Sequence, residues 1–94
     1  MNKYRKKPVV IEAIQFKGNN ERDIRVWSNN VVGISPFLEP TERNPTGICL
    51  QIATLEGVMT ASIGDWIIRG VAGEFYPCKT DIFAQTYEEI EEDE

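Results

Sequence analysis

The spacing of apolar and β-branched residues predicts a domain built mainly from short strands. Residues 9–16 (VVIEAIQF) have the composition of a strand, and Pro8 stands where a missing N–H costs least. Two further strands are predicted at residues 48–55 and 58–62, with residues 56–57 as the turn between them. Strands joined by so short a turn pair antiparallel.

Residues 64–79 (GDWIIRGVAGEFYPCK) carry the clearest prediction, a tight β-hairpin. A strand at residues 66–69 leads into a reversal bracketed by two glycines, and residues 74–78 return along it. Pro77 cannot donate a backbone hydrogen bond to a ladder, so the return strand is expected at a sheet edge. The glycines do not precede a helix, so they are turn glycines and not part of a dinucleotide-binding loop.

The chain between these strands predicts one helix and one long loop. Residues 21–28 have acids in the first turn, and Ile24 and Trp27 form an apolar stripe. Trp27 is expected to anchor the core, with a stacking platform for a ligand as the alternative. Residues 31–47 hold three prolines and two glycines, which predicts a loop with one extended piece at residues 31–34. This loop is a candidate flap or partner-contacting segment.

These elements predict an α+β fold: a small, mainly antiparallel, curled and barrel-like sheet of about five strands, with one short helix packed on it. Residues 81–87 add a short helical turn, from which Phe83 and Tyr87 could pack back onto the sheet. We expect a single domain over residues 1–87 with a basic N-terminal arm, followed by an acidic, disordered tail over residues 88–94.

Charge is segregated along the chain. Four of the ten basic residues lie in the first seven positions. Residues 88–94 carry six acids, so the net charge of −5 becomes +1 when that tail is set aside. No apolar run reaches the roughly 18–20 residues that span a bilayer, and no cleavage site follows the basic start. We therefore expect a cytoplasmic protein without a signal peptide.

The residue types present argue against ordinary enzyme chemistry. The chain has no histidine, which removes the usual base that activates a serine or cysteine nucleophile. Cys49 and Cys78 form no CxxC pair, so zinc is not expected, and two half-buried free thiols in strands are preferred to a disulfide. The spacing of the carboxylates singles out no catalytic or metal-binding pair. Those considered are Glu12, Asp65, Glu74 and Asp81. We expect no catalytic residue, no metal and no cofactor.

Ligand binding is better supported, with four candidate residues. Arg69, Tyr76 and Lys79 lie on or beside the predicted hairpin, and a cation beside an aromatic ring is a common way to hold a nucleotide. Ordinary surface and core roles are the alternative for these three. Glu12 shares a strand face with apolar residues, so a bulge, a salt bridge or a ligand pocket is expected to accommodate it.

Four segments resemble a family of small proteins encoded by bacteriophages and prophages: KYRKKPVVIEAIQF, TLEGVMTAS, GDWIIRGVAGEFYPCKTDIF and TYEE. The resemblance covers residues 3–17 and 54–89 and leaves out the loop at residues 31–47. No general biochemical role belongs to the family, so the resemblance implies context. Small accessory phage proteins often disable a host factor or sequester a nucleotide signal of host immunity, the latter as oligomers in several cases.

Three functions are open. The first is a non-enzymatic phage accessory protein that binds a small anionic, nucleotide-like ligand through the four candidates and so sequesters a host immune signal. The second is a protein-interaction module that inhibits or adapts a host or phage protein, through the proline-rich loop or the acidic tail. The third, nucleic-acid binding by the basic arm, is disfavoured by the net charge of −5. An exposed sheet edge would favour a homo-oligomer, and no membrane partner is expected.

Overall fold

The computed structural model describes residues 1–5, 7–35, 39–42, 44–45 and 47–90. Within them the chain forms six strands and two short helices. The order is β1 (Glu12–Gln15), α1 (Glu21–Trp27), β2 (Val32–Ser35), β3 (Cys49–Thr54), β4 (Gly57–Ala61), β5 (Trp66–Arg69), β6 (Phe75–Cys78) and α2 (Thr80–Thr86). The predicted α+β class is confirmed.

The strands form two three-stranded antiparallel sheets rather than one curled sheet. Sheet A has the order β1-β5-β6, and sheet B has the order β2-β3-β4. The sheets do not close into a barrel, because β6 contacts β3 and β4 without pairing with either. The division falls between β4 and β5. There Gly64 has a φ of 99°, and the Asp65 carboxylate accepts a hydrogen bond from the Ser62 N–H, which turns the chain from one sheet into the other.

One hydrophobic core joins the two sheets. Its buried side chains come from both sheets, from α1 and from the end of β1, and they are Phe16, Ile24, Val32, Leu50, Ile52, Ala61, Ile67 and Phe75. Trp27 of α1 packs edge-on against Phe75 of β6, with ring centroids 5.2 Å apart. Trp27 therefore anchors the core, as predicted. Side-chain packing, and not a shared hydrogen-bond ladder, holds sheet A against sheet B.

The predicted hairpin is confirmed. Strand β5 pairs antiparallel with β6, and β6 forms an edge of sheet A, as expected for a strand that contains Pro77. The Glu74 carboxylate folds over the turn and accepts a hydrogen bond from the Ala72 N–H at 3.0 Å. Helix α1 also lies where it was predicted, with Ile24 fully buried.

Several details differ from the sequence prediction. The first strand begins at Glu12 and not at residue 9, because Glu12 pairs with the last residue of β5 and residues 9–11 have no strand opposite them. The extended piece near residues 31–34 is a paired strand, β2, which brings the number of strands to six. Residues 80–86 form a second helix. The predicted loop includes positions 36–38, 43 and 46, and the predicted tail includes positions 91–94; these lie outside the described residues.

Candidate functional site

Glu12 and Arg69 form a cross-strand salt bridge at the rim of sheet A. They are directly opposed in the β1–β5 register, and Glu12 Oε1 lies 3.4 Å from Arg69 Nη1. The Arg69 guanidinium also lies 5.9 Å from the centre of the Phe75 ring. Both charged side chains are about half exposed, and an ion pair so exposed contributes roughly 0–1 kcal/mol. Of the three outcomes expected for Glu12, the structure shows the salt bridge.

Tyr76 lies on the opposite face of sheet A from Arg69. Arg69 is opposite Phe75 in the β5–β6 register, so both face the core side, and strand alternation turns Tyr76 toward α2. There it makes a side-chain hydrogen bond with Tyr87, the residue that ends α2. Burial, first, and this hydrogen bond raise the pKa of Tyr76 above its usual range. Tyr76 is therefore a neutral phenol that holds the end of α2 on the sheet.

The sequence does not predict the partner of Lys79, which is Asp65, and the ion pair anchors the Lys79 side chain. Its Nζ lies 3.2 Å and 3.1 Å from the two carboxylate oxygens of Asp65. The Asp65 side chain is 8% exposed and also accepts the Ser62 N–H at 2.9 Å, whereas the Lys79 side chain is 65% exposed. This pair joins the end of the hairpin to the turn that precedes β5.

The four predicted ligand-binding residues therefore do not converge on one site. Glu12 and Arg69 contact each other, while Tyr76 faces α2 and Lys79 contacts the turn before β5. The four candidate carboxylates are also held separately. Glu12 and Asp65 form salt bridges. Glu74 accepts a hydrogen bond from a backbone N–H of its own turn, and Asp81 accepts one from the N–H of Ile82. No group of three or more potential metal ligands occurs in the described part of the chain.

The two cysteines are free thiols in strands, as predicted, but only one of them is half-buried. Cys49 is buried in β3, and Cys78 is half-buried in β6 opposite Trp66. Burial raises the pKa of the Cys78 thiol, and the nearby carboxylates of Asp65 and Asp81 raise it further. The indole of Trp66 is itself covered, because it stacks on Phe83 of α2 with ring centroids 4.2 Å apart. This cluster is typical of packing and not of a reactive cysteine.

We expect Cys78 to react more slowly with iodoacetamide at neutral pH than an unhindered thiol does. The thiolate is the nucleophile, and a raised pKa leaves less of it at a given pH. Replacing Asp81 by asparagine removes one charge that raises this pKa and should speed the reaction. Mass spectrometry of alkylated peptides measures both rates, with buried Cys49 as the internal reference. If Cys78 reacts as fast as free cysteine, the raised pKa of its thiol is contradicted.

Strand β4 is an exposed edge to which sequence reasoning gave no role. It pairs with β3 and with no other strand of the described chain. Three exposed side chains on or next to it are apolar: Val58 is 69% exposed, Met59 is 40% exposed, and Leu55 at the tip of the hairpin is fully exposed. Thr60 is the exposed polar residue of the strand. A Cβ added at Gly57 would meet nothing within 4 Å. The strand sequence GVMTA holds no charge and no proline, the usual means by which natural edges are protected.

One sequence signal could have pointed to β4, namely an uncharged strand beside a turn. Its exposure could not be predicted, because β4 is an edge only if it does not pair with β5.

No helix in the described residues is long and apolar enough to cross a membrane. No family model, no curated protein and no solved structure matches this chain. The phage-encoded family that its segments resemble therefore stays a prediction.

Proposed function

We propose that this chain is a non-enzymatic protein-interaction module that binds an extended segment of a partner protein along the edge of β4. The observation that carries the proposal is a five-residue edge strand that is exposed at four positions and bears no charge. In an antiparallel ladder, alternate residues direct both N–H and C=O to the same neighbour. Every second residue of β4 therefore directs these groups away from β3, where a further strand can pair with them.

The side chains of β4 define the chemistry of the partner segment. Met59 is opposite Ile52 in the β3–β4 register and faces the core side of sheet B, whereas Val58 faces the outer side. A partner strand with apolar residues on both faces would extend each apolar surface. Because GVMTA carries no charge, nothing on the strand itself would attract a strongly acidic or basic segment. The proposed partner segment is therefore an apolar, uncharged strand.

The resemblance to small phage-encoded proteins gives this module a context. A chain of that kind would act in the cytoplasm of a host cell, where it would inhibit or adapt a host or phage protein by occupying one of its extended segments. The absence of histidine and the separate pairing of the carboxylates support a role in binding and not in catalysis.

A second candidate function is the binding of a small anionic, nucleotide-like ligand, and Arg69 is the observation that favours it. Its side chain is 47% exposed, and its guanidinium, 5.9 Å from the centre of the buried Phe75 ring, could pair with an anion from solvent. Glu12 would compete with the anion, and Tyr76 and Lys79 would not take part from their observed positions. A melting-temperature rise with cyclic dinucleotides or ADP-ribose derivatives, abolished by Arg69→Ala, would support this candidate.

Selection from a random peptide library tests the proposed function. We expect enriched peptides to carry apolar residues at consecutive positions, so that both faces of the added strand are apolar, and to bind the wild-type chain. The Met59→Glu variant should weaken their binding by roughly tenfold or more, because it places a charge on the strand edge. Val71→Glu is the matched control, since Val71 is a 73% exposed valine in the β5–β6 turn. Peptides that bind the Met59 variant as tightly as the wild type would contradict the proposal.

A further inference from the structure

We propose that a second copy of this chain occupies the β4 edge at rest, with the two β4 strands paired antiparallel about a two-fold axis at Met59. This inference rests on the proposed function of β4 as an interaction edge. An exposed and unprotected edge is a template for pairing with another chain. The sequence of β4 favours an identical strand as that other chain.

The β4 strand is complementary to itself when reversed. With Met59 at the centre, Val58 lies opposite Thr60 of the partner subunit, and Gly57 lies opposite Ala61 of the partner subunit. Beyond the strand, Glu56 lies opposite Ser62 of the partner subunit. No like charges are opposed anywhere in this register. Directly opposed like charges are what ordinarily destabilise a pair of identical strands.

The same register covers the apolar side chains that a single copy leaves exposed. Met59 shares the core-facing side of sheet B with Leu50, Ile52 and Ala61, which are fully buried, yet Met59 itself is 40% exposed. Across the two-fold axis it would contact its own counterpart. Val58, 69% exposed on the outer side, would gain the methyl group of a threonine as its neighbour. The two copies of sheet B would become one six-stranded sheet in the order β2-β3-β4-β4-β3-β2.

The salt dependence of dimerisation distinguishes β4 pairing from an association between the charged ends of two copies. Each copy carries a net charge of −5, so two copies repel at long range, and added salt screens that repulsion. Pairing through the uncharged β4 strands should therefore strengthen as the salt concentration rises. A contact between the basic start of one copy and the acidic end of another would weaken instead.

Self-pairing would also regulate access to the edge. A partner segment and a second copy need the same backbone groups of β4, so binding of one excludes the other. The module would be protected against non-specific strand addition at rest, and a partner segment would convert the dimer into two occupied monomers.

Charge substitution at Met59 tests the proposal, because a two-fold axis places this residue opposite itself. Sedimentation analysis of the full chain should show a concentration-dependent dimer that tightens with salt. Met59→Glu and Met59→Lys should each raise the dimer dissociation constant by roughly tenfold or more. An equimolar mixture of the two variants should restore association, because opposite charges then face each other.

Val26→Glu and Val26→Lys are the matched controls. Val26 is 71% exposed on α1, which contacts β2 at the opposite edge of sheet B from β4, so both variants should dimerise like the wild type. Thermal unfolding checks that every variant is folded. A monomeric wild-type chain at high concentration and salt would overturn the inference, as would Met59 variants that dimerise normally or a mixture that stays monomeric. Peptide selection by a monomeric wild-type chain would leave the proposed function standing without the dimer. If the chain forms a Met59-dependent dimer but selects no peptide, the dimer is supported and the proposed function is contradicted.

Discussion

Replacing Phe75 by alanine should lower the free energy of unfolding by about 3–5 kcal/mol, the usual loss for a buried phenylalanine. Phe75 is 6% exposed and belongs to the core cluster that both sheets share. Its ring also receives the edge of Trp27. Since packing rather than a ladder holds the sheets together, the cavity would lie at their junction. Urea unfolding followed by circular dichroism measures the effect.

Val71→Ala is the control for this substitution. Val71 is 73% exposed, only four positions before Phe75, and its truncation should change the free energy of unfolding by no more than about 0.5 kcal/mol. A loss below about 1 kcal/mol for Phe75→Ala would mean that the sheets are held together by other contacts.

Replacing Asp65 by alanine is expected to lower the free energy of unfolding by about 1.5–3 kcal/mol, the usual loss when a hydrogen bond to a charged group is removed. The Ser62 N–H would lose its acceptor at the turn that separates the two sheets. The Lys79 ammonium adds little to the loss, because its side chain is 65% exposed and returns to water. Thermal and urea unfolding measure the change.

Asp65→Asn distinguishes the hydrogen bond from the ion pair. Asparagine keeps an oxygen that can accept the Ser62 N–H and removes the charge that faces Lys79. We expect Asp65→Asn to lower the free energy of unfolding by no more than about 1 kcal/mol. If asparagine destabilises the chain as much as alanine does, the ion pair and not the turn is what Asp65 contributes.

The elements that could be predicted from sequence are those with local signals. Residues 55–56 join β3 and β4, one position before the predicted turn at 56–57, and Gly70 and Gly73 mark the β5–β6 reversal, so both hairpins could be predicted although the first turn was misplaced by one residue. The apolar spacing of Ile24 and Trp27 likewise predicted α1. The partner of β1 could not be predicted, since Glu12 meets Arg69 across 57 positions of chain. That pairing is what divides the strands into two sheets.

The relative positions of the four candidate ligand-binding residues were harder to predict, because they depend on strand register. Arg69 and Tyr76 are close in sequence and belong to one hairpin, but the register pairs Arg69 with Phe75 and so places Tyr76 on the other face. A shift of one residue would reverse this placement. The salt bridge of Glu12 was among the expected outcomes. The partner of Lys79 was not, because it depends on how the turn at Asp65 folds back toward the end of β6.

The pairing of β1 with β5 encloses the whole of sheet B within one loop of the chain. Bringing the ends of that loop together costs conformational entropy that rises with the length of flexible chain between them. Once sheet B has formed from its local β3–β4 hairpin, most of that length is already compact. We therefore expect the β1–β5 pairing of sheet A to depend on sheet B, and the two sheets to unfold together although they share no hydrogen-bond ladder.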